Sequence, residues 1–245
     1  MAIPGTPIYL QRLDLKPKNS KKTFNITFVT AHPDDETMFF APAILALKDV
    51  PNVSISLVCF STGDSQGLGR IRKTELTKVV SKLGISPSNL IIIDDPAFPD
   101  DIKKTWDPVL MAKALEAIIV ASETDMLAIF TFDNQGISGH PNHISLYIGI
   151  KFMIQTSQTF KFKPVELYTL NSLSLVRKYL FFLDSIFSLG DFYRKSDSVL
   201  FVNGLEKYKL SCKTMDVHET QLVWYRKLYV TFSRYMFINS FDRVK

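Results

Sequence analysis

The 245-residue chain contains two cysteines, Cys59 and Cys212. Two thiols cannot build a disulfide framework or a four-thiolate zinc site, and they fit a reducing compartment. Nowhere is there an uninterrupted apolar run of about 20 residues, the length a membrane-spanning helix requires. Residues 1–22 are polar and proline-containing, with neither a signal peptide nor a span. The chain as it stands is therefore expected to be soluble or peripheral. No basic run is interleaved with base-stacking aromatics, and a formal net charge of +5 is too mild to indicate nucleic acid. That charge does suit an anionic substrate or a lipid surface. The glycine-rich stretch Gly63 to Gly69 lacks both the Gly-Lys-Ser/Thr ending of an ATP-binding loop and the dinucleotide-binding spacing. It is expected to shape the mouth of a site and to start the helix that follows. The sequons at Asn25 and Asn52 lie in or beside apolar segments and read as chance matches.

What the chain has is ordinary globular composition, 46% hydrophobic and 22% charged, and enough length to bury one sizeable core. Residues 1–23 read as a polar N-terminal segment and 24–245 as a single domain. Short apolar runs near 24–31, 53–60, 89–93, 126–132, 165–170 and 198–202 predict strands. Helix-periodic stretches near 36–48, 68–83, 107–122 and 141–158 lie between them. The alternation predicts an α/β fold, a Rossmann-like, mostly parallel sheet with helices on both faces. Residues 172–188 and 204–238 predict a helical C-terminal extension, and the aromatics Trp224, Tyr225, Tyr229, Phe232, Tyr235 and Phe237 are spaced for a buried face.

Two clusters stand out against this frame. The run Phe24 to Ala31 ends in His32-Pro-Asp-Asp-Glu36, and a second run ends just before His140-Pro-Asn-His143. Together they hold three of the four histidines. Ligands of open parallel sheets gather outside the carboxyl ends of the strands, where both clusters fall. Pro33 biases His32 toward an extended backbone, so the histidine finishes the strand. Asp34, Asp35 and Glu36 then crowd a helix N-terminus, where capping alone is one explanation for them. A catalytic metal site is the other: His32, Asp35 and His143 supply three ligands, the usual complement when one position stays open. Asp34 is then free to act as general base on a water whose pKa the metal lowers toward about 7. His140 faces the reacting centre from the opposite side and stabilises an oxyanion, as a neutral donor or as imidazolium. This chemistry is acyl hydrolysis. A His₂Asp set suits zinc and also other divalent ions.

These residues resemble the LmbE-like, or PIG-L, zinc-dependent deacetylases, most closely their eukaryotic branch in glycosylphosphatidylinositol (GPI) anchor synthesis. The resemblance rests on Ala31-His-Pro-Asp-Asp-Glu36, Gly67-Leu-Gly69 leading into Arg72-Lys-Thr-Glu75, and Phe98-Pro-Asp-Asp101. It continues through Thr131-Phe-Asp-Asn-Gln-Gly-Ile-Ser-Gly-His-Pro-Asn-His143, Arg177-Lys-Tyr-Leu180, His218-Glu-Thr-Gln-Leu-Val-Trp-Tyr-Arg226 and Phe232 to Asn239. It implies Zn²⁺, with another divalent metal as the alternative, held by His32, Asp35 and His143, with Asp34 as base and His140 as oxyanion partner. Arg72 and Asp100 are implied to hold the sugar head group and its phosphate. Without that implication, Arg72 reads as an i,i+3 partner of Glu75 on a helix surface, and Asp100 as a turn residue. His218 is either near the site or a buried structural histidine. The implied substrate is the glycolipid N-acetylglucosaminyl-phosphatidylinositol at the cytoplasmic face of the endoplasmic reticulum membrane, with a soluble N-acetylglucosaminyl conjugate as the rival. A non-catalytic scaffold of the same pathway is the other alternative. Eukaryotic members usually begin with a membrane span that residues 1–22 lack. Leu173 to Leu189, with Arg177 and Lys178 among apolar residues, reads either as an interfacial helix or as a packed core helix.

Overall fold

The β-branched and aromatic runs become the strands of one sheet in the computed structural model, which describes residues 8–10, 24–121, 127–161 and 165–244. The strands are β1 (Ile8–Leu10), β2 (Phe24–Thr30), β3 (Val53–Cys59), β4 (Leu90–Ile92), β5 (Leu127–Phe132), β6 (Val165–Leu170), β7 (Ser198–Val202) and β8 (Ile238–Val244). Their order is β1-β7-β8-β6-β5-β2-β3-β4. The pairs β6–β5, β5–β2, β2–β3 and β3–β4 are parallel, whereas β6–β8, β8–β7 and β7–β1 are antiparallel.

The helices are α1 (Asp35–Met38), α2 (Ala41–Leu47), α3 (Gly69–Leu83), α4 (Pro108–Ala121), α5 (Gly136–Gly139, a kinked turn), α6 (Pro141–Thr156), α7 (Leu175–Lys178), α8 (Asp184–Arg194), α9 (Leu205–Met215) and α10 (Trp224–Phe232). From β2 the chain steps outward through β3 to β4, then returns to the other side of β2 with β5 and β6. Right-handed crossovers running in opposite directions put their helices on opposite faces. Accordingly α2 and α3 pack with α9, while α4 packs on α6. β2 is buried at every position, as a central strand covered on both faces must be. Phe28, Phe40, Phe130, Phe132 and Phe241 form the centre of the core, with ring centroids 4.9–5.2 Å apart for Phe130–Phe241, Phe40–Phe132 and Phe28–Phe130.

The α/β fold is as expected from sequence, with three differences in its elements. The helix expected over 36–48 is two helices, because Pro42 lacks an N–H and belongs at a helix start, where it sits in α2. The stretch 172–188 is not one helix: α7, a 3₁₀ turn (Phe181–Leu183) and α8 replace it. The stretch 204–238 is broken at 216–223 around His218, and the chain ends in a strand, β8, that joins the sheet between β6 and β7. Of its aromatics Tyr229 and Tyr235 are buried, but Trp224, Tyr225 and Phe232 are exposed. The polar N-terminal segment lies outside the described residues apart from β1. Among the described residues no helix is long and apolar enough to cross a membrane.

Candidate metal centre and catalytic pocket

Strand order reverses at β2, so the crevice at the carboxyl ends of β2 and β5 is the topological switch point of the sheet. His32, Asp34 and Asp35 leave β2 there, and His140 and His143 arrive at the start of α6 after β5. Two tight turns aim them. Asp34 has φ 113° and Ile137 φ 65°, left-handed backbone that side-chain-bearing residues adopt at a cost of about 1–3 kcal/mol. Both lie beside proposed ligands. The turns are held in place by hydrogen bonds: the Asp34 N–H donates to Glu36 Oε2 at 3.0 Å, and the Ile137 N–H donates to Ser172 Oγ at 2.8 Å.

His32, Asp35 and His143 offer ligand atoms within 4.8 Å of one another, and all three are buried. Their hydrogen bonds fix which atoms remain free. The Ala31 and His32 N–H groups donate to Asp35 Oδ2 at 3.0 and 2.9 Å, leaving Oδ1 turned to His143 Nε2 at 3.3 Å. His143 Nδ1 lies 3.2 Å from the Gly136 carbonyl, so the proton belongs on Nδ1 and Nε2 keeps a lone pair. That Nε2 is buried and makes no hydrogen bond. His32 Nε2 lies 3.0 Å from Asn142 Oδ1, whose orientation is set by the Asn142 amide donating to the Lys104 carbonyl. The proton of His32 is therefore on Nε2, and Nδ1 faces Asp35, 3.9 Å from Oδ2. Three lone-pair donors converge with their protonated sides tied elsewhere, which fits a divalent metal. Burial raises the Asp35 pKa, but the imidazoles of His143 and His32 more than reverse this and hold the carboxyl below its usual range. The alternative group of His32, Asp100 and His140 fits less well. Asp100 Oδ2 is taken by Arg72 Nη1 and Ser65 Oγ, both at 3.2 Å.

Phe132 stacks on His143 at 3.8 Å and 1°, and Gly136 packs close against the same residue. A Cβ on Gly136 would come within 3.0 Å of His143 Cβ at a φ of +57°. His140 stands beside both other imidazoles, 5.0 Å from His32 and 4.8 Å from His143. Its Nδ1 accepts from the Asn142 N–H, which puts its proton on Nε2. Burial, then the His143 and His32 rings, pushes its pKa down to about 4. Of the two forms the sequence left open, a neutral donor fits.

Arg72 is not a surface partner of Glu75. Both are buried on α3. The Arg72 guanidinium donates to the carbonyls of Pro33 and Gly63 at 2.7 and 2.8 Å, with Asp34 Oδ2 at 3.7 Å. Glu75 instead accepts from the backbone and hydroxyl of Thr220. Asp100 bridges Arg72 and His32 Nε2, the latter at 3.2 Å, so it is a wall of the pocket rather than a distant turn. His218 is fully buried and near the site. Its Nε2 lies 2.6 Å from Glu36 Oε1, and Glu36 holds the Asp34 backbone.

All eight residues singled out from sequence therefore meet at one place. From sequence Asn142 and Arg226 have no role, Glu36 reads only as a helix-start carboxylate and Lys178 only as part of a possible interfacial helix; the structure brings all four to the site. Arg226 on α10 is paired with Asp34 through Nη1 and Oδ2. Lys178 on α7 donates to Ser138 Oγ at 2.8 Å and lies over the Tyr229 ring. Asn142 and Glu36 had a signal, since each sits inside one of the two clusters. For Arg226 the signal was its place in the recurrent block beginning at His218. His32, Asp34, Asp35, Arg72, Asp100, His140, His143, Lys178 and Arg226 line an open cavity of about 490 Å³, a size suited to a small ligand, with Glu36, Asn142 and His218 behind them.

The fold and the site place the chain among doubly wound α/β proteins, with a His–carboxylate set that could hold a metal ion at the switch point. Sequence comparison narrows this. Residues 27–153 match the PIG-L family, described as GlcNAc-PI de-N-acetylase, and the chain belongs to that family. The N-acetylglucosaminyl-phosphatidylinositol de-N-acetylase of Bos taurus is 41% identical over 214 residues, covering 87% of this chain and 81% of that protein. The probable enzyme of the same name from Schizosaccharomyces pombe is 34% identical, covering 89% and 86%. Among solved structures, the N,N'-diacetylchitobiose deacetylase of Pyrococcus horikoshii superposes with a TM-score of 0.60 at 17% identity, over 90% of this chain and 83% of that one. That likeness supports the fold.

Proposed function

We propose that this chain hydrolyses the N-acetyl group of N-acetylglucosaminyl-phosphatidylinositol, giving glucosaminyl-phosphatidylinositol and acetate in GPI-anchor biosynthesis, at the cytoplasmic face of the endoplasmic reticulum membrane. The observation that carries this reading is the convergence of His32, Asp35 and His143, with Asp34 and His140 beside them, in a family whose curated relatives bear that activity in their names. His32 Nδ1, Asp35 Oδ1 and His143 Nε2 would hold the metal, Zn²⁺ by preference. Bound there, a divalent ion supplies Lewis acidity toward the acetamide carbonyl and makes water more acidic.

The residues of the chain do the remainder. Asp34, oriented by Arg226, takes the proton of the attacking water as oxygen bonds to the amide carbon. His140 donates its Nε2–H to the developing oxyanion, with no charge of its own to lose. Collapse breaks the C–N bond, and Asp34 returns the proton to the departing nitrogen. Arg72 and Asp100 orient the sugar and phosphate, and Arg226 and Lys178 add positive charge on the same cavity wall.

The test is acetate release from the glycolipid, with and without chelator, alongside metal analysis. Release that needs about one metal per chain supports the reading. Stoichiometric metal without release from either the lipid or its water-soluble head group overturns the substrate assignment.

A further inference from the structure

Two segments at the mouth of the cavity carry their apolar side chains outward. On α8 the buried side chains include Asp184 and Ser188, and the exposed ones include Ile186, Phe187 and Tyr193. A surface helix normally faces its apolar stripe to the core. Here the inward face carries Phe192 and, beside it, polar side chains held in ion pairs. Asp184 meets Arg177 at 2.6 Å and the fully buried Arg234 at 3.2 Å, and Ser188 donates to Asp184. On α10, Tyr229 and Val230 are buried, while Trp224, Leu228 and Phe232, at i, i+4 and i+8, form an exposed stripe. Leu175, Val176, Ile186, Tyr193 and Trp224 are 69–75% exposed, and their grouping on these short segments is what a surface apolar patch requires.

The segment that begins with α7 meets α10. Tyr179 meets Tyr229 at 6.4 Å, and Lys178 lies over both rings. Lys178, Tyr179, Val223 and Tyr225 line the cavity itself. Phe181, at φ 49°, packs inward on Tyr208 and Phe237, and the neighbouring Phe182 and Leu183 are exposed. Charge is equally one-sided. Residues 173–194 and 221–234 contain six basic side chains and two acidic ones; Arg177, Arg226 and the buried Arg234 are ion-paired, which leaves Lys178, Arg194 and Lys227. Arg194 and Lys227 are exposed.

We infer that α7, α8 and α10 form a docking platform for an anionic lipid bilayer, which sets the cavity mouth against the interface. Trp and Tyr beside aliphatic residues and unpaired cations suit the boundary between head groups and acyl chains. The inference rests on the glycolipid reading above. A head group held by Arg72 and Arg226 leaves its acyl chains at the mouth, where the platform keeps them in the bilayer. No extraction of the lipid is then needed.

The experiment is partition onto substrate-free phosphatidylcholine vesicles, with and without phosphatidylinositol, read by sedimentation and by tryptophan emission. Of the two tryptophans Trp106 is buried and Trp224 exposed, so a blue shift on binding reports α10. Ile186→Ser and Leu228→Ser should each weaken partition roughly tenfold. Both residues are exposed and neither lines the cavity, so hydrolysis of the water-soluble head group should be unchanged. Val120→Ser, at an exposed site on α4, should leave partition unaffected. Absent partition with head-group hydrolysis intact overturns the platform and leaves the activity standing. Partition without hydrolysis of either substrate keeps the platform and removes the activity. Self-association that shields Trp224 without lipid makes the face a protein contact and overturns the inference.

Discussion

Single atoms decide what this pocket can do. Asp34 and Asp35 are neighbours of the same chemistry, yet Asp35 has one oxygen fixed by two backbone N–H groups and the other turned to His143, whereas Asp34 faces Arg226 and Arg72. Asp34→Asn is expected to lower kcat by roughly 10²–10⁴-fold, the usual worth of a general base, with metal content unchanged. His143→Ala should lose the metal itself, as seen by elemental analysis. If the Asn variant keeps full activity, the base assignment is wrong. The importance of Gly63 is equally local. A Cβ there would lie 2.4 Å from the Arg72 guanidinium, at a φ of +73°. Gly63→Ala should therefore displace Arg72 and reduce kcat/KM by roughly 10–100-fold while sparing metal binding. Sequence alone supplied the residue types for these roles. It could not supply the tautomers, because those depend on the kinked turn that brings the Gly136 carbonyl to His143 and on Asn142 meeting His32 across β2 and α6.

His218 adds a pH dependence at the same scale. Burial alone would lower its pKa, but Glu36, with Asp34 and Glu75 farther off, raises it above the ordinary 6.5. A group raised on folding adds stability that is fully present below its unfolded pKa and is lost as pH rises through its folded one. The Tm advantage of the native protein over His218→Gln should thus be greatest near about pH 6 and shrink toward alkaline pH. A difference that grows with pH would show that the Glu36–His218 pair does not carry this charge.

At the scale of elements, legibility followed how much of each pattern was set by the core. The strands β2 to β7 and the helices α3, α4 and α6 were readable because burial imposes their periodicity. The aromatics of 204–238 read as a buried face, yet Trp224, Tyr225 and Phe232 point outward, and for 173–189 periodicity does not separate an interfacial helix from a core one. Polar side chains took the inner positions, and the paired charges of Arg177, Asp184 and Arg234 cannot be seen in a hydrophobic pattern. That network fixes α7 and α8 to the 3₁₀ turn at Arg234–Met236. Asp184→Ala should leave the fully buried Arg234 without its counterion, at a cost of about 3–5 kcal/mol. For a chain of this length that predicts a fall in Tm of roughly 6–20 °C in thermal denaturation. A change within about 1 °C would mean that Asp191 or solvent replaces the lost carboxylate.

For the molecule as a whole, the proposed metal set joins parts of the chain that are remote in sequence. His32 and Asp35 follow β2, from which the sheet grows toward β4. His143 follows β5, from which it grows toward β6 and then β8. The ligands therefore span the point at which the two halves of the sheet meet. A ligand that binds only the folded state stabilises it by RT ln(1 + [L]/Kd), about 2.7 kcal/mol at a hundredfold excess over Kd. Zinc added to chelated protein is accordingly expected to raise Tm in one cooperative transition, and His143→Ala should abolish the rise. Asp34→Asn should preserve it, because in the proposed assignment Asp34 is the base and not a metal ligand. An equal rise in the His143 variant would place the ion elsewhere, with His32, Asp100 and His140 as the alternative set to replace next. Stability and catalysis thus read the same three side chains through independent measurements, and the pattern across the two variants separates a ligand from a base.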